Sequence, residues 1–354
     1  MKAGIIGMGT VGRAAALAAM QRGSANELVL VNRHSELSEA VALDLGYGGP
    51  LSASSRVTAG TYDDLGGAGV VVITAGVNEK HGGATDRTDS AGRLRLLQSN
   101  AKVMHEVVPR LIEAEPEAVI VVATDPPDVL ADMVRDLAPS AKVLSTGTWL
   151  DSLRFRTQLA KAFHINPRSI QADVLGEHGT SELFHWSAAS VAGVPVSDVV
   201  AAQRIDEAAF RTRVEDDVRF ANIKIIEGLG ASQYGIGIVI ARIIEAVLRD
   251  ERIVVPVGSY HGGYGATFSL PSILGASGVE GVIEPRLDSA EQETLRRSIA
   301  KLKQATHSGE IKSAPAAIIE PERAASKATT SIDRKHRPSA QAIFQEPHAG
   351  SSAS

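Results

Sequence analysis

Cysteine is absent from all 354 residues. That excludes disulfides, thiolate nucleophiles and thiolate metal ligands. Blocks of one charge are absent too: 36 basic and 41 acidic residues leave a net charge of −5, with the signs mixed along the chain. Without a basic block or polybasic segment, neither a nucleic acid nor an acidic membrane surface is an expected partner. The apolar runs at 70–75 and 118–123 have the length of strands and are too short to span a bilayer. Met1-Lys2 passes directly into the strand-like Ala3-Gly4-Ile5-Ile6, with no charged and apolar leader before it. A cytoplasmic protein with no metal site is the expectation.

Apolar residues make up 44% of the chain, ample for a packed core, and the length suits two modest domains or one large one. Short apolar runs at 2–6, 27–31, 70–74, 118–123 and 142–145 read as strands. Between them, 11–22, 37–45, 94–115 and 127–137 read as helices. Fully apolar strands alternating with helices predict an α/β fold with a parallel, doubly wound sheet over 1–147. From 148 to 306 the pattern is mixed α+β. A helix at 150–163 is followed by short segments at 173–175 and 186–191, and then by a long amphipathic stretch, 197–249. Strands at 253–258, 267–270 and 281–283 and a closing helix, 289–305, complete it. Residues 307–354, rich in Ala, Ser, Pro, Lys and Glu, predict a disordered tail.

Gly7-Met8-Gly9-Thr10-Val11-Gly12 lies at the first strand–helix junction. There Gly7 permits a tight turn, Gly9 lets backbone approach a pyrophosphate, and Gly12 allows close helix–strand packing. The helix N-terminus at Thr10 and Val11 then faces the phosphates. A dinucleotide site, NAD or NADP, follows. An acid closing the second strand would hold the adenine ribose diol, but Asn32-Arg33-His34 stands there. Asn32 can still hydrogen-bond a ribose hydroxyl but does not repel a 2′-phosphate, and Arg33 could attract one or point to solvent, so the cofactor preference stays open.

Downstream, Leu150-Asp151-Ser152-Leu153-Arg154-Phe155-Arg156 and Gly176-Glu177-His178-Gly179 supply an imidazole, a carboxylate to orient it and a fixed cation. Reducing a 2-oxo acid needs a proton at the carbonyl oxygen, which His178 can deliver and, in reverse, remove. Asp151 would fix the imidazole tautomer, and Arg154 would grip the substrate carboxylate in a bidentate fork.

These motifs, with Val72-Ile73-Thr74-Ala75-Gly76, Arg93-Leu94-Arg95-Leu96-Leu97, Gly230-Ala231-Ser232-Gln233-Tyr234-Gly235-Ile236 and Val254-Val255-Pro256-Val257, follow the order and spacing of one family. Over residues 1–305 the chain resembles the L-lactate/malate dehydrogenases, closest in pattern to the bacterial L-lactate enzymes. The resemblance implies a Rossmann dinucleotide-binding domain (1–147), a substrate domain of that family's α+β type (148–306), a small carboxylate substrate, and a homodimer or homotetramer. It implies that Arg93 polarises the substrate carbonyl from a mobile loop, with Arg87 a competing candidate. By the same resemblance Thr74, Ala75 and Gly76 flank the cofactor, Ile236 packs on the nicotinamide, and Ser232 lies near the substrate side chain.

Three departures stand out. The segment 77–92 is longer than the family's loop, and its glycines and small polar residues suit a mobile lid. Glu79 stands where lactate enzymes have glutamine and malate enzymes arginine, so it would repel a second substrate carboxylate unless the longer loop moves it away. Thr124-Asp125-Pro126-Pro127-Asp128 replaces a Ser-Asn-Pro-x-Asp pattern. An ionised Asp125 cannot donate to a carbonyl; it is protonated, binds something cationic, or has rotated out. Finally, Arg156 matches the arginine of the fructose-bisphosphate site in activated lactate enzymes, but Gln171 replaces its histidine, which argues against bisphosphate activation.

The leading expectation is therefore an NAD(P)-dependent oxidoreductase interconverting a 2-keto acid and an L-2-hydroxy acid. The alternatives are an imine or amino-bearing keto acid as substrate, and acid/base catalysis without net redox.

Overall fold

The computed structural model describes residues 1–53, 56–82, 85, 86, 88 and 91–307. Arg87 and the expected tail beyond 307 lie outside the described residues.

The first half builds β1 (Lys2–Ile6), α1 (Thr10–Arg22), β2 (Glu27–Val31), α2 (Ser35–Gly48), β3 (Arg56–Gly60) and β4 (Val70–Ile73). It continues with α3 (Leu97–Ala114), β5 (Val119–Val122), α4 (Pro127–Leu137), β6 (Lys142–Ser145) and α5 (Trp149–Phe163). Strands β1, β2, β4 and β5 are almost wholly buried, as strands covered by helices on both faces must be. Six parallel strands lie in the order β3-β2-β1-β4-β5-β6. The order reverses between β1 and β4, and a ligand crevice forms outside the carboxyl ends of strands at such a point.

The long amphipathic stretch is four helices: α6 (Val196–Ala202), α7 (Glu207–Arg219), α8 (Ala221–Leu229) and α9 (Tyr234–Leu248). Gly230, at φ +83, ends α8 and lets the chain turn into α9. The later strands run longer than the pattern predicts, as β7 (Ile253–His261), β8 (Ala266–Gly275) and β9 (Gly278–Val282), before α10 (Ser289–His307). They form an antiparallel meander that joins the parallel sheet through Gly258 opposite Ser145, giving one nine-stranded sheet. Sequence periodicity misses β3, whose residues are only half-buried at the sheet edge. It also merges the tight Gly92–Leu96 turn with α3. Among the described residues no single helix is long and apolar enough to cross a membrane.

Candidate active site

The turn after β1 is tied by backbone to the end of β2. Gly7 sits at φ +104 and donates to the Val31 carbonyl at 2.8 Å. A Cβ there would lie 2.5 Å from the Ala75 nitrogen. A Cβ on Gly12 would lie 1.9 Å from the Gly7 carbonyl oxygen, so α1 can approach this closely only with glycine. Thr74 Oγ1 donates to the Gly7 carbonyl at 2.7 Å, which makes Thr74 a brace for the turn as well as a wall of the cleft.

Around a Gly9 Cβ there would be nothing within 4 Å; that space is open cleft. No side chain caps α1 at Gly9, and its first turn holds no acid, so its N–H groups are free to meet an anion. A cavity of about 600 Å³ runs from Gly7, Gly9, Ala75 and Gly76 to Asn32 and Arg33. The open space over Gly9 and the uncapped helix start fit a dinucleotide. Asn32 differs from the sequence expectation of an amide offered to the ribose. Its Oδ1 accepts from the Met8 nitrogen and its Nδ2 donates to the His34 carbonyl, both at 3.0 Å.

A second cavity shares Gly9, Thr74, Gly76 and Val77 with the first. Thr10, Val11 and Ile236 line it together with Glu79, Arg93, Asp125, Arg154, His178 and Ser232. Asp151 lies just behind, 2% exposed. The His178 ring nitrogen Nδ1 lies 2.5 Å from Asp151 Oδ2, leaving Nε2 for the cavity. Burial and the Arg93 charge work against a charged ring, but the charge and hydrogen bond of Asp151, with the Asp125 charge added, prevail and raise the His178 pKa. Burial likewise favours neutral Asp151, yet His178 and then Arg154 hold its carboxyl well below the usual range.

Arg154 is not the free fork that the sequence predicts. Nη1 donates to Asp151 Oδ1 at 2.9 Å and Nη2 to Ser232 Oγ at 3.3 Å. A guanidinium carries five N–H donors, so these contacts aim Arg154 and still leave donors for a carboxylate. Ser232 thus steadies the arginine from α9's side of the cavity.

Arg93 also differs from a freely moving loop arginine. It stands between two carboxylates, with Nε 3.3 Å from Glu79 Oε1 and 3.4 Å from Asp125 Oδ2. Neither contact is a hydrogen bond, and Nε is buried without one. The lengthened loop does not carry Glu79 away. Glu79 begins a single helical turn, Glu79–Gly82, and Asn222 Nδ2 donates to its Oε1 at 2.9 Å. Burial raises the Glu79 pKa, with the Arg93 charge opposing and the Asp125 charge adding to it. Asp125 has not rotated out: its Oδ1 lies 3.9 Å from His178 Nε2. Arg156 is held elsewhere, on the Ala172 carbonyl at 3.0 Å and Asp173 Oδ1 at 2.7 Å.

Sequence reasoning missed three positioning residues. Asp128, 1% exposed, accepts from the His178 backbone nitrogen at 2.8 Å and from Ser145 Oγ at 2.6 Å; burial pushes its pKa up to about 6. Asn100, fully buried on α3, accepts from the Val77 nitrogen and donates to the Val77 and Asp125 carbonyls, which ties the lid's start to the Asp125 turn. Asn222 orients Glu79 from α8. A polar residue on an otherwise apolar helix face is the one signal the sequence offered for Asn100.

Comparison with known proteins gives the same outline. Residues 1–144 match the lactate/malate dehydrogenase NAD binding domain, and residues 148–312 the alpha/beta C-terminal domain of the same family. An L-lactate dehydrogenase of Thermus aquaticus is 42% identical over 310 residues, covering 86% of this chain and 97% of that protein. One of Deinococcus radiodurans is 41% identical over 304 residues, with the same coverage. The crystal structure of a minor L-lactate dehydrogenase from Enterococcus mundtii, in a ligands-bound form, superposes with a TM-score of 0.79 at 34% identity. It covers 87% of this chain and 98% of that one. Both halves of the sequence, the sheet order and the cleft agree: the chain belongs to the lactate/malate dehydrogenase family.

Proposed function

We propose that this protein is a nicotinamide-dependent dehydrogenase that interconverts a 2-oxo acid and its L-2-hydroxy acid. His178 serves as proton donor in reduction and proton acceptor in oxidation. The observation that carries this reading is the Asp151–His178 pair, with Nε2 turned into a cavity that shares its walls with the dinucleotide cleft.

The reduced nicotinamide, when bound, supplies the hydride to the carbonyl carbon. The remaining work falls to the chain. His178 Nε2 gives its proton to the carbonyl oxygen, and Asp151 stabilises the charged ring before that transfer and fixes its tautomer after it. Arg154, aimed by Asp151 and Ser232, receives the substrate carboxylate with its remaining N–H donors. Ile236 offers an apolar wall, which favours a neutral reduced ring over a cationic oxidised one. Arg93 polarises the carbonyl once it is shared with substrate.

The test is nicotinamide absorbance at turnover on a panel of 2-oxo acids. Consumption of NADH or NADPH, lost in His178→Asn, supports the reading. Turnover without that change supports the non-redox alternative and overturns this one.

A second reading concerns the substrate. The cavity is lined by the cations Arg93 and Arg154 and the carboxylates Glu79 and Asp125, while Asp151 behind it balances the protonated His178 ring. A substrate carboxylate adds one more negative charge to an enclosed space. A substrate that also bears an ammonium, guanidinium or iminium nitrogen balances that excess, and Glu79 would exclude a dicarboxylate. We also propose a homo-oligomer, supported by Leu43, Tyr47 and Leu51, which are 59%, 77% and 96% exposed on and just beyond α2. Sedimentation of Tyr47→Glu against the parent chain tests it.

A further inference from the structure

At the adenosine end of the dinucleotide cleft, an NAD-selective site places an acid after the second strand. That acid accepts from the ribose hydroxyls and repels a 2′-phosphate. Here β2 is followed by Asn32-Arg33-His34-Ser35, with no acid. Asn32 is uncharged, and its amide is closed onto the Met8 nitrogen and the His34 carbonyl.

Arg33, His34 and Ser35 are exposed and line the cleft's rim. Among the described residues no hydrogen bond or ion pair engages the Arg33 guanidinium. The 14-residue helix α2 begins at Ser35 with no side chain capping it, so its first N–H groups add positive potential at the same place, opposed by one exposed carboxylate in the same turn, Glu36. Across the cleft Arg110 lies over the Tyr62 ring, 4.2 Å from its centroid, and lines the same cavity. The lining holds two arginines against a single carboxylate, Glu106.

We infer that the form of cofactor this cleft prefers is the 2′-phosphorylated dinucleotide, NADP(H). Arg33, the Ser35 hydroxyl and the α2 N-terminus receive the phosphate. This rests on the dinucleotide reading of the cleft and is independent of the chemistry at His178.

Calorimetric titration of the full chain with NADPH, NADH, 2′,5′-ADP and 5′-ADP tests it without turnover. One charge-assisted contact to phosphate corresponds to about tenfold to a hundredfold in affinity. NADPH should bind more tightly than NADH by that factor, and 2′,5′-ADP more tightly than 5′-ADP. Arg33→Ala should remove the difference by weakening NADPH alone, and Asn32→Asp should invert it by repelling the phosphate. NADH binding as tightly as NADPH, or Arg33→Ala weakening both alike, overturns the inference. Failure of both dinucleotides to bind overturns it together with the cleft's assignment. Tight NADPH binding without reduction of any 2-oxo acid would support the inference and overturn the proposed dehydrogenase activity alone.

Discussion

Glu79 Oε1 stands 3.3 Å from Arg93 Nε, so the residue proposed to select the substrate faces the arginine proposed to polarise it. In Glu79→Gln the Asn222 contact can persist while the charge is gone. Arg93 is then shared with Asp125 alone. The expected outcome is a gain of about tenfold in kcat/KM for 2-oxo acids with neutral alkyl side chains, the size of one modest charge interaction. For a guanidinium-bearing 2-oxo acid of matched length, a loss of similar size is expected. Steady-state kinetics on the matched pair measures both, and an unchanged ratio would remove Glu79 from substrate selection.

The Asp151–His178 pair sets a pH dependence. Its net effect is to raise the His178 pKa above the ordinary 6.5. Reduction needs the protonated ring, so its kcat/KM should hold a plateau at low pH and fall as pH rises through that raised pKa. Oxidation should rise over the same window. Asp151→Asn removes the charge that favours the imidazolium, so the falling limb should move to lower pH and the rate at neutral pH should drop about 10²-fold or more. A pH–rate profile of the variant with its limb unmoved would show that Asp151 does not tune His178.

Legibility in the sequence followed physical scale. Contacts within a few residues, such as the turn from Gly7 to Gly12, and strands buried on both faces, such as β4 and β5, could be read directly because local sterics and apolarity determine them. The half-buried edge strand β3 carries no such signal, and nothing local announces that Gly258 joins the later meander to Ser145. Within the site the residue types were legible, but their pairings were not. That Arg154 holds both Asp151 and Ser232 depends on α9 approaching α5, across 78 residues. The setting of Arg93 between Glu79 and Asp125 likewise arises where three chain segments meet.

Asp128 is expected to act through His178 without touching substrate. It anchors the His178 backbone nitrogen at 2.8 Å and the end of β6 through Ser145. Asp128→Ala leaves that N–H and that hydroxyl without their acceptor and lets the imidazole shift. A displacement near 1 Å costs about 10²-fold in rate. The loss should fall on kcat, with the cofactor Kd unchanged, because Asp128's hydrogen-bond partners among the described residues, His178 and Ser145, do not line the dinucleotide cleft. Equal damage to cofactor binding would mean the substitution disrupts the fold rather than the placement of His178.

Glu245 fixes the far end of α1, the helix that starts at the cofactor turn. It lies on α9, where Gly237 allows so close a crossing of α1 that a Cβ would lie 2.8 Å from the Ala14 carbonyl carbon. Arg22, at the end of α1, donates to Glu245 through Nε at 2.6 Å and Nη2 at 2.8 Å; Ser24 Oγ adds a bond at 3.0 Å, and Arg242 flanks it. Burial favours a neutral carboxyl, but the hydrogen bonds from Arg22, Arg242 and Ser24 prevail and hold the pKa down to about 2, from an ordinary 4.5. Since the folded value lies below the unfolded one, this stabilisation is fully present above about pH 4.5 and is lost as pH falls towards about 2. Glu245→Gln should cost about 1–3 kcal/mol at neutral pH, from charged hydrogen bonds lost at a buried site. The gap in Tm between the two proteins should narrow steadily on acidification. A gap that stays constant from neutral pH down to about pH 3 would mean that α1 and α9 are held by apolar packing alone.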